Sequence, residues 1–437
     1  MADGPGLTDP GGPPASGAAL ERAYREEWTA VVATISRRLG DLQAAEDAAS
    51  EAFAAAAAAW PRDGVPPRPG AWLTVTAWRK ALDQVRRDRH LARTGPDATA
   101  GDFEAGTVGT VGTAGTVGAV GGVLPAVAPD VAAEFEEPEM TDDRLGLIFA
   151  CCHPALAPEV RVALTLRYVG GLSTREIAAA FVTPEPTMAQ RLVRAKRKIQ
   201  TAGIRLEGPA SSARPGRLPG VQAVVYLVFN EGYAASSGPD LVRVDLCAEA
   251  IWLGRVLHQL LPGDAETTGL LALMLLHHSR AATRCRADGQ PVPLADQDRG
   301  QWDRWLITEG VALLDEAIDR RAPGPYQLQA AIAALHAQAP AFGQTDWPQI
   351  VALYAELARR APSPVVDVNR AVAVGLADGP RAGLAVLAPV LASGALDSYG
   401  PLHAAHADLL DQDGQADAAA AAWARAAAAT DNPVLRA

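Results

Sequence analysis

Between Ala105 and Val123 the chain reads AGTVGTVGTAGTVGAVGGV, a near-repeat of Gly, Thr and Val. No other stretch limits the fold so strongly. Glycine this frequent loses too much backbone freedom to hold a helix, and no polar/apolar partner for a strand is evident. The stretch reads as a flexible linker. With its flanks it covers 96–139 and ends in the acidic EFEEPE. As a coil it would span about 35–40 Å root-mean-square. The segments on either side are expected to fold as separate domains.

Both sides read as helix. Residues 40–60, GDLQAAEDAASEAFAAAAAAW, are Ala-rich with clustered acids and no internal Gly or Pro, and PRDGVPPRPG (61–70) reads as a loop. In 71–90, Ala71, Val75, Trp78, Leu82 and Val85 recur on one helical face. Residues 140–203 are helical again. Beyond about 220 the chain is Ala/Leu-rich, and Pro262, Pro291, Pro323, Pro340, Pro362 and Pro401 cut it into helix-length pieces. Few Val/Ile/Thr alternations occur, so the fold class is all-α. The expected order is a disordered tail (1–20), a small helical domain (21–95), the linker (96–139), a second small helical domain (140–203) and a helical extension (204–437). Near the end, Ala371, Val374 and Leu387 recur 36 positions later as Ala407, Leu410 and Trp423. Gly414, Ala419, Trp423 and Ala426 have the relative spacings of a tetratricopeptide helix pair, in which aromatics fill the groove between neighbouring pairs. The alternative is chance matching in an Ala-rich chain. A single such unit must stack on preceding helices.

Bulk composition excludes some classes. No run of 18 or more apolar residues exists, so no membrane span is expected. MADGPGLTDPGGPPASGAAL lacks the charged start and apolar middle of a signal peptide, which points to the cytoplasm. The four cysteines, Cys151, Cys152, Cys247 and Cys285, are too few for a disulfide scaffold. The net charge of -11 argues against coating nucleic acid everywhere, yet DNA responds to local potential and a local basic face suffices.

Such a face is present. TMAQRLVRAKRKI (187–199) holds five basic residues and no acid. On a wheel, Met188, Leu192, Ala195 and Ile199 form a narrow apolar stripe, Thr187, Arg191, Arg194 and Lys198 line one flank, and Gln190 and Arg197 point away. Before it, Ser173 is an N-cap with Glu176 completing a capping box, and a short helix, Thr174–Phe181, buries Ile177 and Phe181. Pro184 and Pro186 enforce a turn, and the second helix is expected near Thr187. This is the helix-turn-helix pattern. The N-terminal side chains of the second helix can reach base edges, and Lys196, Arg197 and Lys198 can meet phosphates. A solvated basic face is the bland alternative. A second basic segment, RKALDQVRRDRH, follows Trp72 and Trp78. Aromatic and basic residues together suit unstacked bases. Trp78 lies on the apolar stripe and reads as core, and Trp72 as the more exposed of the two.

Together these segments resemble the extracytoplasmic-function sigma factors of the sigma-70 family. LGDLQAAEDAASEAF is similar to their region 2.1–2.2 and PGAWLTVTAWRKALDQVRR to regions 2.3–2.4. VRVALTLRYVGGLSTREIAAAF followed by TMAQRLVRAKRKI is similar to regions 4.1–4.2. LIFACCHPAL, VVYLVFNEGYAASSG and later segments resemble the subgroup with a tetratricopeptide-like C-terminal extension. The long Gly/Thr/Val linker and the two prolines of VTPEP depart from the pattern. The resemblance implies a chain that binds RNA polymerase core, at the β′ clamp helices and β flap, and directs it to promoter DNA. It makes and breaks no bond itself. It places core binding at Asp41, Glu46, Asp47 and Glu51. It assigns −10 reading to Trp72, Arg79, Lys80, Asp83, Arg86 and Arg87, and −35 reading to Thr187, Gln190, Arg191 and Arg194. A regulatory protein on the extension is a further expected partner, and no cofactor or metal is expected. The alternatives are a helix-turn-helix regulator that never touches polymerase, and a metabolite sensor or enzyme delivered to DNA.

Three features stay open. CCHP (151–154) suits core packing, redox sensing or metal. His277 and His278 suit the polar edge of a packed helix. Asn230, Glu231 and Tyr233 in FNEGYAASSG suit a small-molecule pocket or a helix cap.

Overall fold

The computed structural model describes residues 15–94, 137–181, 183–206, 214–235, 241–286, 289–430 and 436. The expected linker, apart from residues 137–139, and most of the expected tail lie outside them. Among the described residues there are seventeen α-helices and no strand beyond an isolated bridge between Cys285 and Pro291. No helix among them is long and apolar enough to cross a membrane. Packing groups the chain into two compact units, one within residues 1–151 and 193–210, the other within 152–192 and 211–437. These groupings cut across the segments read from the sequence.

The first unit holds α1 (Ala15–Leu39), α2 (Leu42–Asp63), α3 (Pro69–Thr94) and α4 (Glu137–Cys151). Ala15 to Leu20, assigned above to the tail, form the first turns of α1. Gly40 adopts a positive φ of 69°, and Asp41 caps α2 by accepting from the Gln43 and Ala44 amides at 2.8 and 3.1 Å. Along α2, Ala45, Ala49, Ala52, Ala56 and Ala59 are buried. Small residues at this helical spacing let a neighbour approach closely. The volume they leave is filled by Tyr24, Trp28 and Phe53, whose ring centroids lie 5.0–5.9 Å apart. Helix α2 continues through Pro61 to Asp63, three residues into the expected loop.

Helix α3 rotates away from the sequence expectation. Leu73, Thr74, Val75, Ala77 and Ala81 are buried; of the expected stripe only Val75 is fully so. The large apolar residues misled because Ala77 and Ala81 pack as small residues, and because Thr74 is buried with its hydroxyl satisfied by the Gly70 carbonyl at 2.8 Å. Helix α4 is held to α1 by Arg37–Asp143 at 2.5 Å and by Arg144, which donates to the Glu26 carbonyl at 2.9 Å.

The second unit holds α5 (Pro158–Tyr168) and α6 (Thr174–Ala180), then α7 (Glu185–Thr201), which the division between units crosses. There follow α8 (Arg214–Tyr233), α9 (Val244–Leu260), α10 (Ala265–His278), α11 (Arg304–Asp319), α12 (Pro325–Gln338), α13 (Trp347–Arg360), α14 (Pro364–Asp378), α15 (Pro380–Ser393), α16 (Gly400–Gln412) and α17 (Ala416–Ala428). The six expected proline breaks all fall between helices or in a first turn, where a missing N–H costs nothing. Helix α10 is buried all round from Ala265 to Leu276, apart from Glu266, as a central helix must be.

The hairpin α14–α15 recurs as α16–α17, with both helix starts 36 residues later. Gly375 and Gly383 allow the tight crossing: a Cβ on either would run into Leu409. Ala371 and Ala407 are both fully buried, as the repeat requires. Trp423 breaks the pattern. It is 48% exposed, because no further helix pair among the described residues stacks on α17.

Candidate nucleic-acid interface

The helix-turn-helix forms as the local sequence dictates. Ser173 Oγ accepts from the Glu176 amide at 3.2 Å, and Glu176 Oε2 accepts from the Ser173 amide at 2.7 Å. These Ser173 hydrogen bonds hold the Glu176 carboxyl below the usual carboxylate range. Arg167 donates to the Leu172 carbonyl at 2.8 Å, fixing the turn before α6. At the far end, Arg243 donates to the Ala180 carbonyl at 2.6 Å and so caps α6 from outside the motif. Phe181, expected as core, is half-buried beneath the Arg191 guanidinium, 5.9 Å from its centroid. Helix α7 starts at Glu185, two residues earlier than expected, because Pro186 is tolerated in a first turn.

On α7 the stripe of Met188, Leu192, Ala195 and Ile199 is 0–5% exposed. Thr187, Gln190, Arg194, Arg197 and Lys198 are exposed and Arg191 is half-buried. Lys196 departs from the expected phosphate-facing set. It lies about 140–160° round the helix from Arg191, Arg194 and Lys198, on the other flank of the stripe. There it meets the Gln43 side chain and Glu46 Oε2 at 3.4 Å.

The first unit presents the other expected site residues. Arg79, Asp83, Arg86 and Arg87 are exposed on α3, opposite its buried arc. Arg86 lies 3.7 Å from Asp83, and Lys80 3.4 Å from Glu51. Trp72 is not the exposed ring foreseen: it is half-buried, edge-on to Trp60 at 5.9 Å. Trp78 is half-buried under the Arg38 guanidinium, 5.6 Å away. Of the acids on α2, Asp47 and Glu51 are exposed, Asp41 serves as the N-cap, and Glu46 is 6% exposed and turned to Lys196. Gln43, which sequence reasoning passed over, also reaches Asp47 at 2.8 Å.

In CCHP only the cysteines behave as core; His153 is half-buried and Pro154 exposed. Cys151 and Cys152 are buried. Burial pushes the Cys152 thiol up to about 11, against a contact to Thr165 Oγ1 at 3.5 Å. Such a thiol is a poor nucleophile. His153 Nδ1 accepts from the Ala155 amide at 3.2 Å, closing the turn.

Comparison with known proteins gives three family matches and one relative. Residues 23–90 match sigma-70 region 2, residues 147–199 match sigma-70 region 4, and residues 217–318 match a family of unknown function, DUF6596. An uncharacterized protein of Rhizobium meliloti is 43% identical over 396 residues, covering 91% of this chain and 88% of that protein. No solved structure matches the chain. With a capped helix-turn-helix inside the region 4 match and an acidic and a basic helix inside the region 2 match, the chain belongs to the sigma-70 family of RNA polymerase sigma factors.

Proposed function

We propose that this sigma factor is of the extracytoplasmic-function type and that its helical C-terminal part regulates it. Core polymerase would be met through the β′ clamp helices by Asp41, Glu46, Asp47 and Glu51 on α2, with the β flap as a second contact. The −10 element would be read from α3 by Trp72, Arg79, Lys80, Asp83, Arg86 and Arg87, and the −35 element from α7 by Thr187, Gln190, Arg191 and Arg194. Arg197 and Lys198 would hold phosphates. The observation that carries this reading is the exposed basic flank on α7 beside a buried stripe, inside the region 4 match. Guanidiniums at the start of a helix that fits the major groove read guanine edges, and cations further along release counterions. The 36-residue recurrence of helix hairpins supports a tetratricopeptide-like extension.

The test is transcription of fragmented genomic DNA by core polymerase with the full-length chain, read by sequencing the transcripts. Discrete start sites that share upstream −35 and −10 sequences are expected. Absence of both chain-dependent starts and a core–chain complex on native gels would overturn the proposal.

A further inference from the structure

The C-terminal part contains a feature that promoter recognition does not use. Six helices, α8, α10, α12, α13, α14 and α16, converge on a cavity of about 830 Å³. That lies within the ordinary size range for small-molecule sites. Its wall holds the rings of Tyr226, Phe229, Tyr233, Tyr354 and Tyr399, and no Asp or Glu. The absence of acid matters in a chain with 50 acidic residues against 39 Lys and Arg.

Positive charge gathers at one end. Arg280 lines the cavity, donates to the Tyr233 hydroxyl, and sits 5.6 Å from that ring's centroid. Arg284 lies over the same ring at 3.5 Å. Arg299 donates to the carbonyls of His336 and, at 2.9 Å, Ala339. Among the described residues none of the three forms an ion pair. Burial lowers the pKa of Arg284 and Arg299. Two orphans sit beside them: Arg299 Nη2 and His336 Nδ1 are buried without a hydrogen-bond partner. A buried cation without a counter-charge, as at Arg299, and buried polar atoms without partners are costly unless something else satisfies them. His277 and His336 do not add to the charge. Burial and the neighbouring arginines keep both neutral, His336 at about 4, so each offers a hydrogen bond instead.

We infer that this cavity is a receptor for a small organic anion with an aromatic or planar body, its acidic group taken by Arg280 and the His336 end and its body stacked among the tyrosines. A carboxylate or sulfonate supplies the missing counter-charge and accepts charge-assisted hydrogen bonds, while the ring wall takes the apolar part.

The test uses two dyes that differ by one sulfonate, 8-anilinonaphthalene-1-sulfonate and N-phenyl-1-naphthylamine, titrated into the full-length protein by fluorescence. One sulfonated dye per chain is expected, bound at least tenfold tighter than the neutral dye. Arg280→Gln should weaken the sulfonated dye at least tenfold and the neutral dye less than twofold. Ser363→Trp, which narrows the cavity, should weaken both at least tenfold with the thermal melt unchanged. No saturable binding, equal affinity for the two dyes, or a sulfonated dye indifferent to either variant would overturn the inference. Should Arg280→Gln fail to fold, displacement from the wild-type protein decides. 1-Naphthoate should displace the bound dye and 1-naphthamide should not; equal displacement counts against the inference.

Discussion

The arginines of α7 and those around Tyr233 are the same chemical group in opposite states of hydration. Arg194 and Arg197 are exposed on a helix whose other side is core. Arg280, Arg284 and Arg299 lie against rings and carbonyls within the C-terminal unit. The difference teaches that counting basic residues says little about a partner. A hydrated row of guanidiniums suits a long, mobile polyanion whose counterions it releases. A desolvated cluster suits one small anion that fits, and bulk salt hardly screens it.

The largest expected effect tests the hydrated set. Charge reversal at Arg191 and Arg194 together should lower promoter-specific initiation by at least a hundredfold, about 3 kcal/mol or more, given roughly 1–3 kcal/mol per base-reading contact. Binding to core polymerase on native gels should stay unchanged; an equal fall there breaks the division between promoter reading and core binding. DNA binding through four cationic contacts should also drop roughly a hundredfold between 50 and 200 mM salt, while binding of the sulfonated dye should barely respond.

The next tests address the desolvated set. Trp302 is 3% exposed, donates to Thr283 Oγ1 at 3.0 Å and carries Arg299 over its ring at 4.7 Å. Trp302→Ala should destabilise the C-terminal unit by about 3–5 kcal/mol in urea unfolding, through the lost ring volume. A pH series is somewhat gentler. His336 is held near 4 by burial and by Arg280 and Arg299, so between pH 6.5 and 4 the unfolded chain binds more protons than the folded one. Stability is therefore full above pH 6.5 and falls as pH drops towards 4, by roughly 3 kcal/mol for this group alone. The urea midpoint at pH 7 and pH 4.5 measures it, and His336→Gln should flatten the dependence.

The smallest effect belongs to the scaffold of α7. Ser173→Ala should cost about 1 kcal/mol by removing the cap, and should raise the Glu176 carboxyl towards its ordinary value, as read by carbon NMR. A lowered Glu176 carboxyl stabilises the cap above the usual carboxylate range and loses that contribution as pH falls through its folded value.

Legibility in the sequence followed distance along the chain. The capping box, the turn and the stripe from Met188 to Ile199 lie within 27 residues, and each is set by neighbours three or four positions away, so all were readable. The placement of Lys196 was readable too, since its wheel angle puts it off the basic flank; reading the charge run as one patch hid that. The buried face of α3 was misjudged because Ala77 and Ala81 pack as well as larger residues where a partner comes close. The half-burial of Trp72 depends on Trp60, across a loop. The cavity could not be foreseen: its wall draws on residues from Tyr226 to Thr430. The sequence hinted at it only through Asn230 and Tyr233, while part of that FNEGYAASSG stretch, Ser236 to Gly238, lies outside the described residues.

Lys196 and Glu46 are 16% and 8% exposed at their side chains, and the acid belongs to the set proposed to meet polymerase. A bond placed in this way works as a latch. A polymerase that took the acid would have to break that bond and would free the lysine. Whatever factor the bond contributes to holding the acid would be lost from the affinity for polymerase.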